Sequence, residues 1–257
     1  MDDMKVMEAG PQGFKGAYLD KLLEKGYFRD GRKMVAKDLE QDHNHGDRPK
    51  YNWVCMLRYP VADCKPSASI LNIRNLCAGF ALRQSTLTVT PELEQLYCRY
   101  CESVDIELPG SLKVQLQGGE ASNPFDTSVI EVRDGGRLIA AGFLDRGSES
   151  IMGVLDIHDP DYESYSLAEF LIDRKIETAR SEGLSYFYPG CIMILNDRLD
   201  YKLSFDREQV QVYLSADEVW EPFKKHDKES LERFLLMKHF DLDLDDLFPD
   251  EAGGPWD

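Results

Sequence analysis

Nowhere in its 257 residues does the chain carry an apolar run near the roughly 18 residues that a membrane-spanning helix requires, so no membrane association is expected. Its first residues, MDDMKVMEAGPQGF, have neither the basic flank nor the apolar stretch of an export or transit signal, and the expected location is the cytoplasm. Cysteine is sparse. Six are present, none before Cys55, and without an exporting segment they read as free thiols rather than a disulfide framework. Only Cys98 and Cys101 stand two residues apart, and a lone pair lacks the further ligands a structural metal needs, so neither metal nor other cofactor is expected. Positive charge is also short. Against 47 Asp and Glu stand 30 Lys and Arg, a net charge of −17, which disfavours nucleic-acid binding by the surface as a whole and argues against DNA as a partner.

What is present is an ordinary globular composition, 42% hydrophobic and 11% aromatic, in a chain long enough to bury a sizeable core. Charge is unevenly spread. Residues 1–60 hold 11 bases and 10 acids, so the acid excess lies beyond them, and the segment 241–257 (DLDLDDLFPDEAGGPWD) reads as a solvated acidic tail. Any basic patch for phosphate therefore belongs near the start of the chain.

Helical spacing of Leu19, Leu22 and Leu23 before Gly26 predicts a short amphipathic helix, and Pro91–Cys101 opens as helices do. Residues 51–61, YNWVCMLRYPV, read as a strand. From Thr127 the pattern becomes SVIEV, Asp134-Gly135-Gly136, RLIAAGFLD, a hairpin signal, followed by a third strand, SIMGVLDIHD. Ser166-Leu167-Ala168-Glu169 reads as a capping box, with Ala168, Leu171, Ile172, Ile176 and Ala179 as the buried stripe of the helix it opens. Gly183 ends that helix, and Leu184–Tyr188 returns beside the third strand in parallel. Pro189-Gly190 should interrupt this last strand and open a groove.

Three strands, a helix and a returning strand form the core of an acetyltransferase-like (GNAT-like) α/β fold, a mixed sheet flanked by helices. The expected organisation is an N-terminal α+β half (1–110), the acetyltransferase-like domain (111–240) and the acidic tail (241–257). Enzymes of this fold that use acetyl-CoA cradle its pyrophosphate on a glycine-rich turn at the helix start. The corresponding loop here, HDPDYESYS, has no glycine and several acids, so an acyl-CoA donor is disfavoured.

The stretch from FLDRGSES to DYKLSF resembles the C-terminal half of arginyl- and leucyl-tRNA:protein transferases. The shared pieces are Asp159-Pro160, Ser166-Leu167, Tyr186 to Gly190 and Tyr201-Lys202. LLEKGYFRDGRKM, LRYPV and ELEQLYCRY carry a weaker likeness in the first half. The resemblance implies transfer of an amino acid from aminoacyl-tRNA to the N-terminal α-amine of a protein, marking it for degradation, or to another amine. An acyl-CoA N-acyltransferase and a non-catalytic module that binds basic N-termini are the alternatives. By the same resemblance Tyr188 and Lys202, with Tyr201, stabilise charge at the transfer site, and Tyr188 and Lys202 face it together. Asp156 and Asp159 orient the incoming ammonium. Ser166 at the helix start polarises the ester or holds a carboxylate, while Tyr186 and Gly190 line the donor groove.

Overall fold

Period-two alternation and turn glycines build the central sheet, in a computed structural model that describes residues 4–42, 50–104 and 108–240. The expected acidic tail lies outside the described residues. The first part of the chain gives β1 (Lys5–Met7), α1 (Gly16–Glu24), β2 (Phe28–Asp30), β3 (Lys33–Ala36), β4 (Leu39–Asp42) and the long β5 (Lys50–Pro60), then α2 (Ala68–Leu76), β6 (Ala81–Thr86), α3 (Pro91–Ser103) and α4 (Leu112–Gln117). The second part gives β7 (Thr127–Asp134), β8 (Arg137–Arg146), β9 (Ser150–His158), α5 (Leu167–Ser181), β10 (Tyr186–Met193), β11 (Gln211–Leu214), β12 (Val219–Pro222) and α6 (Lys228–Phe240). None of the described helices is long and apolar enough to cross a membrane.

Among the described residues the large sheet runs β12-β11-β5-β10-β9-β8-β7-β6, with β4 also on β5, while β1, β3 and β2 make a small separate sheet. Strands from the first 110 residues are thus woven into the sheet of the second half: β5 lies between β11 and β10, and β6 pairs with β7. The β7–β8 hairpin closes on Gly135, at φ +56°, and Gly136, as the sequence predicts. β9 and β10 are parallel, with the predicted helix α5 between them, so the fold is mixed α/β with an acetyltransferase-like core.

Helices cover both faces. On one, α2, α5 and α6 pack through Ile70, Ile176 and Leu231 against Leu57, Tyr59 and Phe187. On the other, α3 and α4 cover β7 to β9, and α1 with the small sheet covers Met152 and Tyr188. Arg29 of β2 ties the small sheet to β8, its guanidinium 2.8 Å from both oxygens of Asp145 and 4.1 Å from the Phe125 ring centre. Removing one side of so buried a pair strands the other charge.

Two expectations about α5 need correction. Ser166 has φ +51° and its side chain accepts no capping hydrogen bond, because the chain enters α5 through a left-handed residue after a 3-10 turn, Pro160–Tyr165, rather than from extended backbone. Ala168 is half-exposed, and the buried stripe instead includes two charged residues, Asp173 and Lys175. Arg74 of α2 and the adjacent Arg174 neutralise Asp173, with Arg74 Nη2 2.6 Å from its Oδ1.

Candidate active site

β10 pairs with β9 only through Tyr186, Phe187 and Tyr188. Pro189-Gly190 does not end the strand. It produces a bulge against β5, after which β10 follows β5 to Met193 and leaves the outer half of β9, still paired with β8, without a described strand on its other edge. The expected groove is therefore a gap between two diverging strands of one sheet. Gly190 sits at the divergence with φ +94°, a backbone only glycine adopts readily, and Lys202 Nζ would lie 3.2 Å from any Cβ placed there.

β9 prepares the other wall. Phe143 of β8 faces Leu155 while Leu144 faces Gly153, so Val154 is an extra residue that breaks the alternation. Gly153 and Asp156 consequently both turn toward α5, as the neighbours of their positions show.

Into the gap come two lysines. Lys175 of α5 has a side chain only 1% exposed; its Nζ lies 2.6 Å from Asp156 Oδ1 and 3.5 Å from the Leu155 carbonyl oxygen of β9. Lys202, on the 3-10 turn Asp200–Leu203, donates to the Cys191 carbonyl of β10 at 3.1 Å. Carbonyls left by the parting strands are thus taken by ammonium groups instead of a neighbouring strand. Tyr59 holds that turn in place, its hydroxyl donating to the Lys202 carbonyl at 2.8 Å. Burial pulls the Lys175 ammonium below the ordinary lysine value, with Asp156 opposing the shift and Lys202 adding to it.

Phenols and a carboxylic acid complete the lining. Burial, then the charge of Asp156, raises the Tyr201 phenol well above its usual range, and the same two causes raise Tyr100 on α3. Glu169, in the first turn of α5, is raised by burial and lowered by His158. His158 stands at the end of β9 against the Tyr100 ring, 5.6 Å centre to centre, and its Nδ1 is buried with no hydrogen-bond partner among the described residues. The gap thus holds two lysines, Asp156 bound to the first, the Glu169 carboxyl and the phenols of Tyr100 and Tyr201: a place with donors for negative charge that develops on an oxygen.

Of the residues expected at the site, Asp156, Tyr201, Lys202 and Gly190 converge here. Tyr188 does not. It and Tyr186 share a face, as period two requires, but the opposite one from α5, with rings 6.2 Å apart and Tyr188 5.6 Å from Trp220. Burial pushes the Tyr188 phenol up to about 12, with Arg58 opposing the shift. Asp159 is also turned away from any incoming ammonium. Its buried carboxylate caps Asp161 N and meets Arg137 at 2.7 Å and Arg99 at 3.0 Å. Two arginines thereby offset part of the acidity of the loop. Ser166 stands at the α5 entrance without a side-chain bond of its own to the helix.

Lys175, Tyr100 and Glu169 were not anticipated. Lys175 had a signal: it falls three and four residues from Ile172, Leu171 and Ala179, in the stripe read as apolar.

Residues 92–212 match the family model described as arginine-tRNA-protein transferase, C terminus. An aspartate/glutamate leucyltransferase of Granulibacter bethesdensis is 25% identical over 233 residues, 84% of this chain and 85% of that protein. Its namesake in Leptospira interrogans is 31% identical over 172 residues, 63% of this chain and 65% of that protein. A third, in Paramagnetospirillum magneticum, is 27% identical over 154 residues, 58% of this chain and 62% of that protein. The chain thus spans less than two thirds of the length of two of these three relatives. Among solved structures, a GCN5-related glucosamine N-acetyltransferase region of a fungal multi-domain β-N-acetylglucosaminidase is similar with a TM-score of 0.39 and 13% identity, over 68% of this chain and 20% of that one. Over these ranges the chain is similar to aminoacyl-tRNA:protein transferases.

Proposed function

We propose that the chain moves an aminoacyl group from an aminoacyl-tRNA to the N-terminal α-amine of a protein, in the cytoplasm, and that the gap between β9 and β10 is where it does so. One observation carries this: Lys175 and Lys202 lodge on carbonyls of the two diverging strands, beside Asp156 and Tyr201. The names of the relatives favour a leucyl group as cargo and aspartate or glutamate as acceptor.

The reaction asks for alignment and charge stabilisation. An α-amine titrates at about 7.7–8.0, so an appreciable fraction is free base near neutrality. Its nitrogen attacks the ester carbonyl carbon; the C–N bond forms as the π pair moves onto oxygen, and the C–O bond to the ribose then breaks. Lys202 keeps one N–H on the Cys191 carbonyl and offers another to the oxyanion, with the Tyr201 phenol as second donor. Asp156, anchored by Lys175, takes the proton from the attacking nitrogen and returns it to the departing ribose oxygen.

Incubation with leucyl-tRNA or arginyl-tRNA and peptides beginning with Asp, Glu or Ala tests this, with mass spectrometry of the product. One added residue is expected. Lys202→Met should lower turnover by about a hundred- to a thousand-fold, the usual loss for one oxyanion donor. Tyr188→Phe, on the other face, should stay within about tenfold of the parent. No added residue with either donor, or full turnover in Lys202→Met, overturns the proposal.

A further inference from the structure

The balanced charge of residues 1–60, in a chain of net charge −17, finds no use in the gap between β9 and β10. It is spent elsewhere. β4 and β11 both pair with the same edge of β5, β4 up to Trp53 and β11 from Leu57; between them Val54 N donates to the Asp38 carbonyl at 2.8 Å, and no described strand pairs with Cys55 and Met56 along that edge. There, under the small sheet, is a cavity of about 350 Å³ whose wall includes Lys5, Lys25 and Lys37, with Asp38 and Glu218 as the opposing charges. Lys37 Nζ lies 3.4 Å from Glu40, whereas Lys5 and Lys25 are exposed and make no ion pair among the described residues.

Aromatic rings lead away from this cavity. Tyr213 lines it, pressed so closely on Gly26 that a Cβ there would lie 2.4 Å from the ring. Tyr213 is 5.0 Å from Trp220, the Arg58 guanidinium stands 4.4 Å from Trp220 and 4.5 Å from Tyr186, and Tyr186 lies where β10 is about to part from β9. The result is a strip of alternating rings and one cation, from lysines at one end to the divergence of the strands at the other.

We propose that this cavity binds the phosphate of a nucleotide, with the attached base stacked on the Tyr213–Trp220 strip. Lysines supply compact charge for phosphate and rings accept any base face. A volume of about 350 Å³ suits one nucleotide, at the lower end of the roughly 300–1,000 Å³ of small-molecule sites. Two sources share this chemistry, a free nucleotide and the end of an RNA strand, and the direction of the strip selects the strand. That selection rests on the transfer reading above; the cavity itself does not.

Quenching of tryptophan fluorescence on titration of the full chain tests this, using 5′-AMP, inorganic phosphate and a single-stranded RNA 12-mer. AMP and RNA should both quench and should compete, with RNA the tighter. In Lys5→Gln/Lys25→Gln, both exposed and therefore safe for folding, affinity for either should fall at least tenfold, and the salt slope for RNA should drop by about 0.7, the value for one lost phosphate. Trp220→Phe should abolish the quench and leave competition, followed by fluorescent RNA anisotropy, intact. RNA binding that AMP fails to displace, an unchanged affinity in the double variant, or binding of phosphate as tight as that of AMP overturns the proposal. AMP competition without any aminoacyl transfer sinks the transfer reading alone, whereas transfer unaffected by the double variant at limiting donor sinks the selection of the strand.

Discussion

Replacement of Lys175 by methionine keeps the length of the side chain and removes its charge, in a helix position only 1% exposed. What remains is Asp156, facing the place of an ammonium that stood 2.6 Å from its Oδ1. Breaking a buried ion pair from one side costs about 3–5 kcal/mol, because the partner is left charged and unpaired. Asp156 is 10% exposed at its side chain, toward the gap, so water reaches it and the lower end, about 3 kcal/mol, applies. With a urea m-value of about 2–3 kcal/mol/M, that is a midpoint shift of roughly 1–1.5 M. Asp156→Asn/Lys175→Met removes both charges and should recover at least half of the loss. Burial lowers the Lys175 pKa below 10.5, so between that lowered value and 10.5 the unfolded chain binds more protons than the folded one. Stability from this group therefore rises with pH across that window, and the rise should be absent from the stability curve of Lys175→Met. Urea unfolding followed by circular dichroism, with the transfer assay in parallel, reads all three. A single variant within 0.3 M of the parent, or a double variant no more stable than the single, refutes the reasoning, the 0.3 M limit being about a quarter of the shift expected from the m-value.

Acetyl-CoA should not bind measurably, since the α5 entrance presents Glu169, Asp161 and Glu163 rather than a glycine cradle; calorimetry giving a micromolar dissociation constant would show this wrong. Burial of Asp159 works against ionisation, but the hydrogen bonds from Arg137 and Asp161 N and the charge of Arg99 prevail and hold its carboxyl below 3.8. Its contribution is then complete above pH 3.8 and fades as pH falls through the lowered value, so Asp159→Asn should melt earlier at pH 7 and approach the parent as pH falls through that lowered value. Equal melting temperatures at pH 7 would contradict the pairing.

Local rules carried the β7 to β10 run because each step has a cheap chemical signature: Gly135-Gly136 for the hairpin, apolar spacing for α5, and Gly183, at φ +68°, for its end. Tertiary arrangement set what those rules could not reach. The extra residue Val154 depends on how β8 and β9 align, and without it Asp156 would face away from α5. Pro189-Gly190 signals a disturbance without saying that β10 keeps its pairing with β5 across the bulge while its pairing with β9 stops. Ser166 misled through its neighbours, since a Ser-x-x-Glu spacing suits a cap only when the serine is extended, and a preceding 3-10 turn forced it to φ +51°. Lys175 was readable as a charge within an apolar stripe, and a buried lysine with one carboxylate partner marks a site more often than a core.

Net charge was the weakest guide, and the pairs in the structure explain why. Asp145, Asp159 and Asp173 are buried and each is held by one or more arginines, so these charges are engaged within the fold and are not presented to an approaching ligand. An approaching phosphate at physiological salt responds mainly to charges within about 8 Å. At that range the relevant groups are Lys5, Lys25 and Lys37 against Asp38 and Glu218 at the cavity, and Lys175 and Lys202 against Asp156 in the gap. Among the residues that line the cavity, and among those that meet Lys175 and Lys202, lysines outnumber carboxylates, with Glu40 pairing Lys37 from outside the cavity lining, in a molecule of −17. Long-range repulsion then slows encounter with a polyanion, while the local excess decides where it settles once it arrives. A chain built this way gains selectivity for position from the same acidity that costs it association rate.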